Sequence, residues 1–447
     1  MKSWDMASSK SNEGEQLRET RLLSRDAKLI LSWVLINSIP IGYMNVVPLV
    51  YLLEVGYAPS LIGAIYALGA VANTIAYIPF GMLADKYGRK VFLIVGGFIP
   101  VISYAIFGLT LNPYLLIFAS ILGGIGLAGG LGVAINSTAL LPMLAATTSD
   151  KNRTTLFGIL QASWITAITI GSLLSFLPSI LISSFSLTSH DAHSYSYFIM
   201  SLLVVISTIP ILFVKEKRGA ETQMTIPPIL SPQSLKRRSI SWKLPIVSGR
   251  RILDFAIVFA FAGFGLGVIV QLVPTWYNLQ FGASETTAGL WIAVAEFSGV
   301  IGIPIIPRLV KRRGTVTTSA ITSLLSCFFL ALMPVAGFFE GAALLFVLRS
   351  VLITISWPIL QSYMMGIVAE RERATTVGIT YTAWGLATSV ATYVGGYLLG
   401  GGLLWVPFLL GALAYVGSSL LIWIFFRKIK PPEELEVDLG SGEVKTV

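Results

Sequence analysis

The chain has 447 residues, 55% hydrophobic and 12% charged, with a mean hydropathy of +0.79, a balance that excludes an ordinary soluble globular domain and marks a polytopic membrane protein. A net charge of +9 would point to nucleic acid in a soluble chain. Here the cations lie between apolar runs, where orientation in a membrane accounts for them, and no nucleic-acid partner is expected. The single cysteine, Cys327, lies inside an apolar run, which excludes disulfides and a cysteine metal site.

Residues 1–27 are polar and charged without an apolar core, so no cleavable signal peptide is expected. A membrane-spanning helix needs about 20 mainly apolar residues. Twelve runs qualify, at roughly 29–53, 60–82, 91–111, 114–143, 154–183, 195–214, 252–278, 286–309, 316–338, 341–367, 374–400 and 402–426. With both termini in the cytoplasm, 30 of the 31 lysines and arginines fall in cytoplasmic segments, and the other, Arg349, lies within the tenth run. The positive-inside rule therefore predicts a multi-pass protein of the cell membrane with both termini inside.

The chain repeats itself. At an offset of 226, Val47, Pro48, Tyr51, Gly56, Gly63 and Gly88 recur as Val273, Pro274, Tyr277, Gly282, Gly289 and Gly314. At an offset of 220, Arg153, Gly158 and Trp164 recur as Arg373, Gly378 and Trp384. Ordered matches that include Pro, Gly, Arg and Trp imply a duplicated six-helix unit, a parallel repeat about an axis along the membrane normal. The expected organisation is a cytoplasmic tail (1–27), an N-terminal six-helix bundle (28–214), a Pro/Ser/Arg/Lys-rich cytoplasmic linker (215–251), a C-terminal six-helix bundle (252–427) and a cytoplasmic tail (428–447).

Between the second and third runs lies Gly81-Met82-Leu83-Ala84-Asp85-Lys86-Tyr87-Gly88-Arg89-Lys90, a charged, glycine-bounded turn at the membrane surface. Gly81, Asp85, Gly88, Arg89 and Lys90 meet the pattern G-x-x-x-D-x-x-G-R-[KR]. The segment resembles the loop between helices 2 and 3 of the major facilitator superfamily. The second copy, Pro307 to Gly314, has Lys311 where the first has Asp85. The resemblance covers residues 28–428 and implies an all-α membrane protein whose twelve transmembrane helices form two pseudo-symmetric six-helix bundles rocking about a midplane site. It also implies that Asp85 is a conformational gate facing the start of the eleventh helix, near Ala374 and Thr375, with Arg89 as a further partner.

Gly124-Ile125-Gly126-Leu127-Ala128-Gly129 spells G-x-G-x-x-G, but it lies within an apolar run rather than after a strand. It reads as a small-residue packing face within a continuous helix, not a nucleotide site. His190 and His193 read as part of a solvated loop between the fifth and sixth helices, and no metal or other cofactor is expected. Amides and tryptophans recur in helices that the resemblance places around a central cavity: Asn37, Asn45, Asn136, Gln161, Trp164, Gln271, Trp276, Trp357, Gln361 and Trp384. Each has an interhelical packing role as its plain alternative. Glu296 and Arg349 lie deeper in their runs than any other charges, and by default a charge at such depth is functional. Burial favours a neutral carboxyl and a nearby guanidinium a charged one, so the two are candidates for coupling protons to substrate.

The expected function is a secondary active transporter of a small organic solute, proton-coupled and acting by alternating access, with membrane lipid around it, as a monomer. One alternative is a multidrug/proton antiporter. Such members of the family carry a G-P-x-x-G-G-like element in helix 5 and an arginine in helix 4, whereas this chain has Ala167 to Ser172 with one glycine and no proline, and no charge in its fourth run. Another alternative is a transporter-like solute receptor without net transport. An enzyme is not expected, because no nucleophile and base or metal set stands out.

Overall fold

The computed structural model describes residues 23–125, 129–147, 150–215, 248–302, 305–369 and 372–429; most of the expected tails and linker lie outside them. Among the described residues all regular structure is helical. The first span comprises α1 (Arg25–Met44) and α2 (Val47–Glu54), the second α3 (Pro59–Tyr87), and the third α4 (Arg89–Leu109). The fourth comprises α5 (Pro113–Gly123) and α6 (Leu131–Ala145), the fifth α7 (Asp150–Leu173) and α8 (Leu177–Phe185), and the sixth α9 (Ser189–Leu212). In the second half, α10 (Gly249–Val268) with α11 (Val273–Phe281), and α12 (Glu285–Gly302) with α13 (Ile306–Arg313), form the seventh and eighth spans. The last four are α14 (Thr315–Leu332), α15 (Phe339–Ile367), α16 (Arg373–Gly400) and α17 (Val406–Phe426). Below, the proximal end is the one at which α1 begins and α17 ends; the distal end is opposite.

Helix pairing makes the duplication visible. In the first half α1 packs on α7 and α9, α4 on α6 and α9, and α3 on α6. In the second half α10 packs on α16 and α17, α14 on α15 and α17, and α12 on α15, a one-for-one copy. The halves meet along α3–α16 and α7–α12, pairs that the same symmetry exchanges. Repeat-equivalent glycines share backbone geometry: Gly56 and Gly282 have φ of 91° and 64°, and Gly88 and Gly314 have 107° and 75°. A side chain would oppose that conformation, which is why these positions keep glycine in both copies. Pro48 and Pro274 each sit in the first turn of a helix restarted after a break, where the missing N–H costs nothing.

Several runs expected as single helices are broken. The first is interrupted around Asn45 and Val46, and the fifth and seventh pass through 3₁₀ turns at Leu174–Phe176 and Val270–Leu272. The G-x-G-x-x-G stretch, expected inside one continuous helix, is where the helix of the fourth span breaks: α5 ends at Gly123, and Gly124 and Gly129 have φ of 79° and 58°. Closely spaced glycines each lower helix propensity by about 1 kcal/mol relative to alanine, so there the chain leaves the helix instead of packing through it.

The apolar core is joined at one end only. At the distal end a single cluster runs through both halves and includes Leu49, Tyr197, Trp276, Leu330 and Phe408. At the proximal end there are two: Trp33, Met143 and Ile211 belong to the first half, Phe255, Met364 and Phe426 to the second. The halves are therefore packed together distally and separately cored proximally.

Candidate functional site

Between the halves lies a cavity of about 510 Å³. Its first-half wall is α7, with Gln161, Trp164, Ile165 and Ile168; the rest comes from α10, α12 and α14–α17. Trp164 is 36% exposed and Gln161 is exposed too, so the cavity reaches from mid-depth toward the proximal end. Trp357 and Trp384 face each other across 6.2 Å between ring centroids, with Phe259 5.2 Å from Trp357. Gln361 Nε2 donates to the Tyr381 hydroxyl. This is a vestibule with aromatic walls and polar side chains among them.

Glu296, on α12, lines the cavity. Ser172 Oγ of α7 donates to Glu296 Oε2 at 3.1 Å, and the Asn45 side chain lies against the same carboxyl group. Both neighbours belong to the first half, so this carboxyl of the second half is held across the interface. Its other oxygen, Oε1, is buried without a hydrogen-bond partner. A carboxyl group half satisfied in a membrane interior is placed to change protonation as its neighbours move.

Arg349, on α15, is 4% exposed and lines the same cavity. Its Nη2 donates to the Tyr415 hydroxyl at 2.9 Å, the guanidinium carbon lies 5.5 Å and 5.9 Å from the Tyr415 and Phe346 ring centroids, and Nε is buried without a partner. Glu296 and Arg349 share the cavity but do not form an ion pair.

Of the amides and tryptophans expected on the cavity, Gln161, Trp164, Trp357, Gln361 and Trp384 line it. Asn45 lies against the Glu296 carboxyl, and the other four are placed elsewhere. Asn37 Nδ2 donates to Ser207 Oγ at 3.0 Å, tying α1 to α9, and Gln271 Oε1 accepts from Thr392 Oγ1 at 2.9 Å, tying the seventh span to α16. Asn136 is buried beside Gly96, and Trp276 lies in the distal core against Phe408. An amide in a helix that is apolar all round gives no periodicity by which to assign its face. Sequence reasoning missed the hydroxyl stripe of α14. Thr315, Thr318, Ser319, Thr322, Ser323 and Ser326 are buried, and Ser319 and Ser323 reach the cavity. Their spacing of three and four residues was the available signal.

In the gate motif, Gly88 separates α3 from α4, and Gly81 lies beside Thr138 of α6. Lys90 Nζ donates to the carbonyls of Leu212 and Val214 at 2.7 Å and 2.9 Å, a cation on the open end of α9 where backbone acceptors lack helical partners. Arg89 begins α4 and has an interaction partner of its own. The Asp85 side chain lies outside the described residues, and with it the expected approach to Ala374.

The distal end corrects the reading of the histidines as a solvated loop: both lie in α9, where His190 is exposed and His193 is not. Thr188 caps α9, its hydroxyl accepting from the Asp191 N–H at 3.1 Å and donating to Asp191 Oδ2 at 2.7 Å. This Thr-x-x-Asp cap starts the helix earlier than hydropathy implies. His193 is thereby buried and pairs with Glu285, the first residue of α12, at 3.0 Å between Nε2 and Oε2, with side-chain exposures of 3% and 7%. Its Nδ1 bonds the Ser189 carbonyl at 2.7 Å, and its ring stacks on Tyr51 at 3.7 Å. Thr275 Oγ1 donates to the Leu49 carbonyl at 3.2 Å, and the Ser179 and Thr286 hydroxyls meet at 3.1 Å. All three contacts join the two halves.

A family model described as Major Facilitator Superfamily matches residues 32–392 and, in an overlapping match, 255–445. The cis,cis-muconate transport protein of Acinetobacter baylyi is 21% identical over 351 residues, covering 78% of this chain and 81% of that protein. Among solved structures, a D-xylose-proton symporter is similar with a TM-score of 0.69 at 16% identity, over 90% of this chain and 97% of that one. The nucleoside transporter NupG is similar with a TM-score of 0.66 at 14% identity, over 91% of this chain and 100% of that one.

Proposed function

The chain belongs to the Major Facilitator Superfamily, a membrane transporter of small solutes and not an enzyme, and from that premise we propose that it is a proton-coupled secondary active transporter in which Glu296 carries the proton. The proximal end faces the cytoplasm in this reading, as the placement of 30 of 31 lysines and arginines requires. The membrane is the cell membrane, and the cavity is open inward. Muconate, D-xylose and nucleosides, named for the similar proteins, support a small organic solute as cargo.

The observation that carries the proposal is the bond from Ser172 in one half to the Glu296 carboxyl in the other, beside an unpartnered oxygen of that carboxyl. When the halves rock apart along α7–α12 this bond is lost, so the proton affinity of Glu296 differs between the two conformations. A group whose proton affinity differs between two states is what coupling requires. The test is uptake into proteoliposomes from a panel of solutes, with and without an imposed pH gradient. Accumulation only with the gradient supports the proposal; facilitated equilibration unaffected by it defeats the coupling. Orientation is checked with Cys327 replaced: a cysteine at Ser189 is expected to react with an impermeant thiol reagent in intact cells, and one at Ser231 is not.

A further inference from the structure

We propose that the cavity takes a small organic carboxylate, its carboxylate on Arg349 and an apolar body against Trp357 and Trp384; this rests on the transporter reading above. A cation at membrane depth costs several kcal/mol unless paired or hydrated. Arg349 is 96% buried, yet its contacts are a neutral hydroxyl and two aromatic rings, and Nε donates to nothing. A guanidinium carries five donors in a planar fork that matches a carboxylate, so most of its hydrogen-bonding capacity is left for a ligand.

The neighbours do not supply the missing anion. Among the described residues Glu296 is the one carboxylate on the cavity wall, and its Oε2 accepts from Ser172 of the other half. Beside Arg349, Ser326 Oγ donates to the Arg349 carbonyl and Ser419 to the Tyr415 carbonyl, and on the cavity wall Ser319 pairs with Ser356. A bound carboxylate completes the site by neutralising the guanidinium and accepting from its N–H groups that have no partner in the protein.

A polyhydroxylated molecule needs many free donors and acceptors, because each buried polar group left unpaired costs about 1–3 kcal/mol. Ile165, Ile168, Ala262 and Ile353 with the tryptophans form an apolar part of the cavity wall, a surface that suits an aromatic or aliphatic body. A volume of about 510 Å³ lies within the ordinary range for small-molecule sites, roughly 300–1,000 Å³.

The test is binding to the purified protein in detergent, by calorimetry and by shift in melting temperature. The probes are benzoate and hexanoate, against benzamide and hexanamide as neutral counterparts of the same shape. The acids are expected to bind and to raise the melting temperature, with Arg349→Lys, which keeps the charge but loses the fork, weakening them on the order of ten-fold. Should that variant not fold, the acid-over-amide contrast in the wild-type protein decides. Amides that bind within two-fold of the acids, or the absence of binding by either acid, overturn the proposal. The coupling proposal fails separately: acids that bind but are not accumulated under a pH gradient leave this inference standing, and gradient-driven accumulation of neutral solutes alone leaves the coupling standing without it.

Discussion

Two acid–base couples lie between the halves, and they are arranged in opposite ways. At the distal end His193 and Glu285, one from each half, meet at 3.0 Å, buried and stacked against Tyr51. In the cavity Glu296 and Arg349, both from the second half, stay unpaired with each other, and each has a buried polar atom without a partner. The distal end uses its charges on one another, and the cavity keeps them apart, which in the proposed mechanism leaves them for a solute and a proton. Since a pair formed across the halves stabilises only the conformation that holds them together, the distal couple is a latch in geometry, while the cavity couple is not paired within itself.

The largest effect expected from breaking this contrast is at Glu296. Glu296→Gln keeps the shape and the Ser172 contact but cannot exchange a proton, so accumulation driven by a pH gradient should fall to background while exchange down the solute's own gradient persists. Proteoliposome uptake and counterflow measure both, and gradient-driven accumulation by the variant would remove Glu296 from the coupling. Next is the latch. Removing one partner of a buried pair costs about 3–5 kcal/mol, close to the roughly 5.5 kcal/mol that inverts a 1:99 equilibrium. Glu285→Gln should therefore move the protein toward the distally open state, read out as labelling of a cysteine at Thr354 from the distal side. An unchanged labelling rate in a folded variant would mean the pair holds nothing shut.

Asp85→Asn should fold, slow transport, and shift the labelling of that same cavity cysteine between the two sides; wild-type rates would refute its gating role. The smallest effect is expected at Lys90. Lys90→Met removes two charge-assisted bonds to the end of α9 and should lower stability by roughly 1 kcal/mol, a fall of about 1–3 °C in melting temperature.

How much of this was legible in the chain differs by level. Run lengths predicted the spans, and the offsets of 226 and 220 predicted the duplication, because apolar length and glycine position act locally. Gly88 and Gly314 are at positive φ in both copies for a reason that a sequence can state. The depth of Glu296 and Arg349 could also be counted along their helices. Their relation could not, because it depends on how α12 and α15 are rotated and on what Ser172 of the other half reaches.

By itself, then, the sequence determined the twelve-helix class, the repeat, the asymmetric motif with Asp85 in one copy and Lys311 in the other, and two charges at depth. Only the tertiary structure decided where the helices break, that Asn37 and Gln271 tie helices together while Gln161 and Gln361 face the cavity, and that His193 is buried against Glu285. The physical reason is the same in each case. In a membrane protein nearly every helix is apolar on all sides, so hydropathy identifies a span without orienting it, and which face meets a partner, a cavity or lipid is settled by packing between segments far apart in the chain.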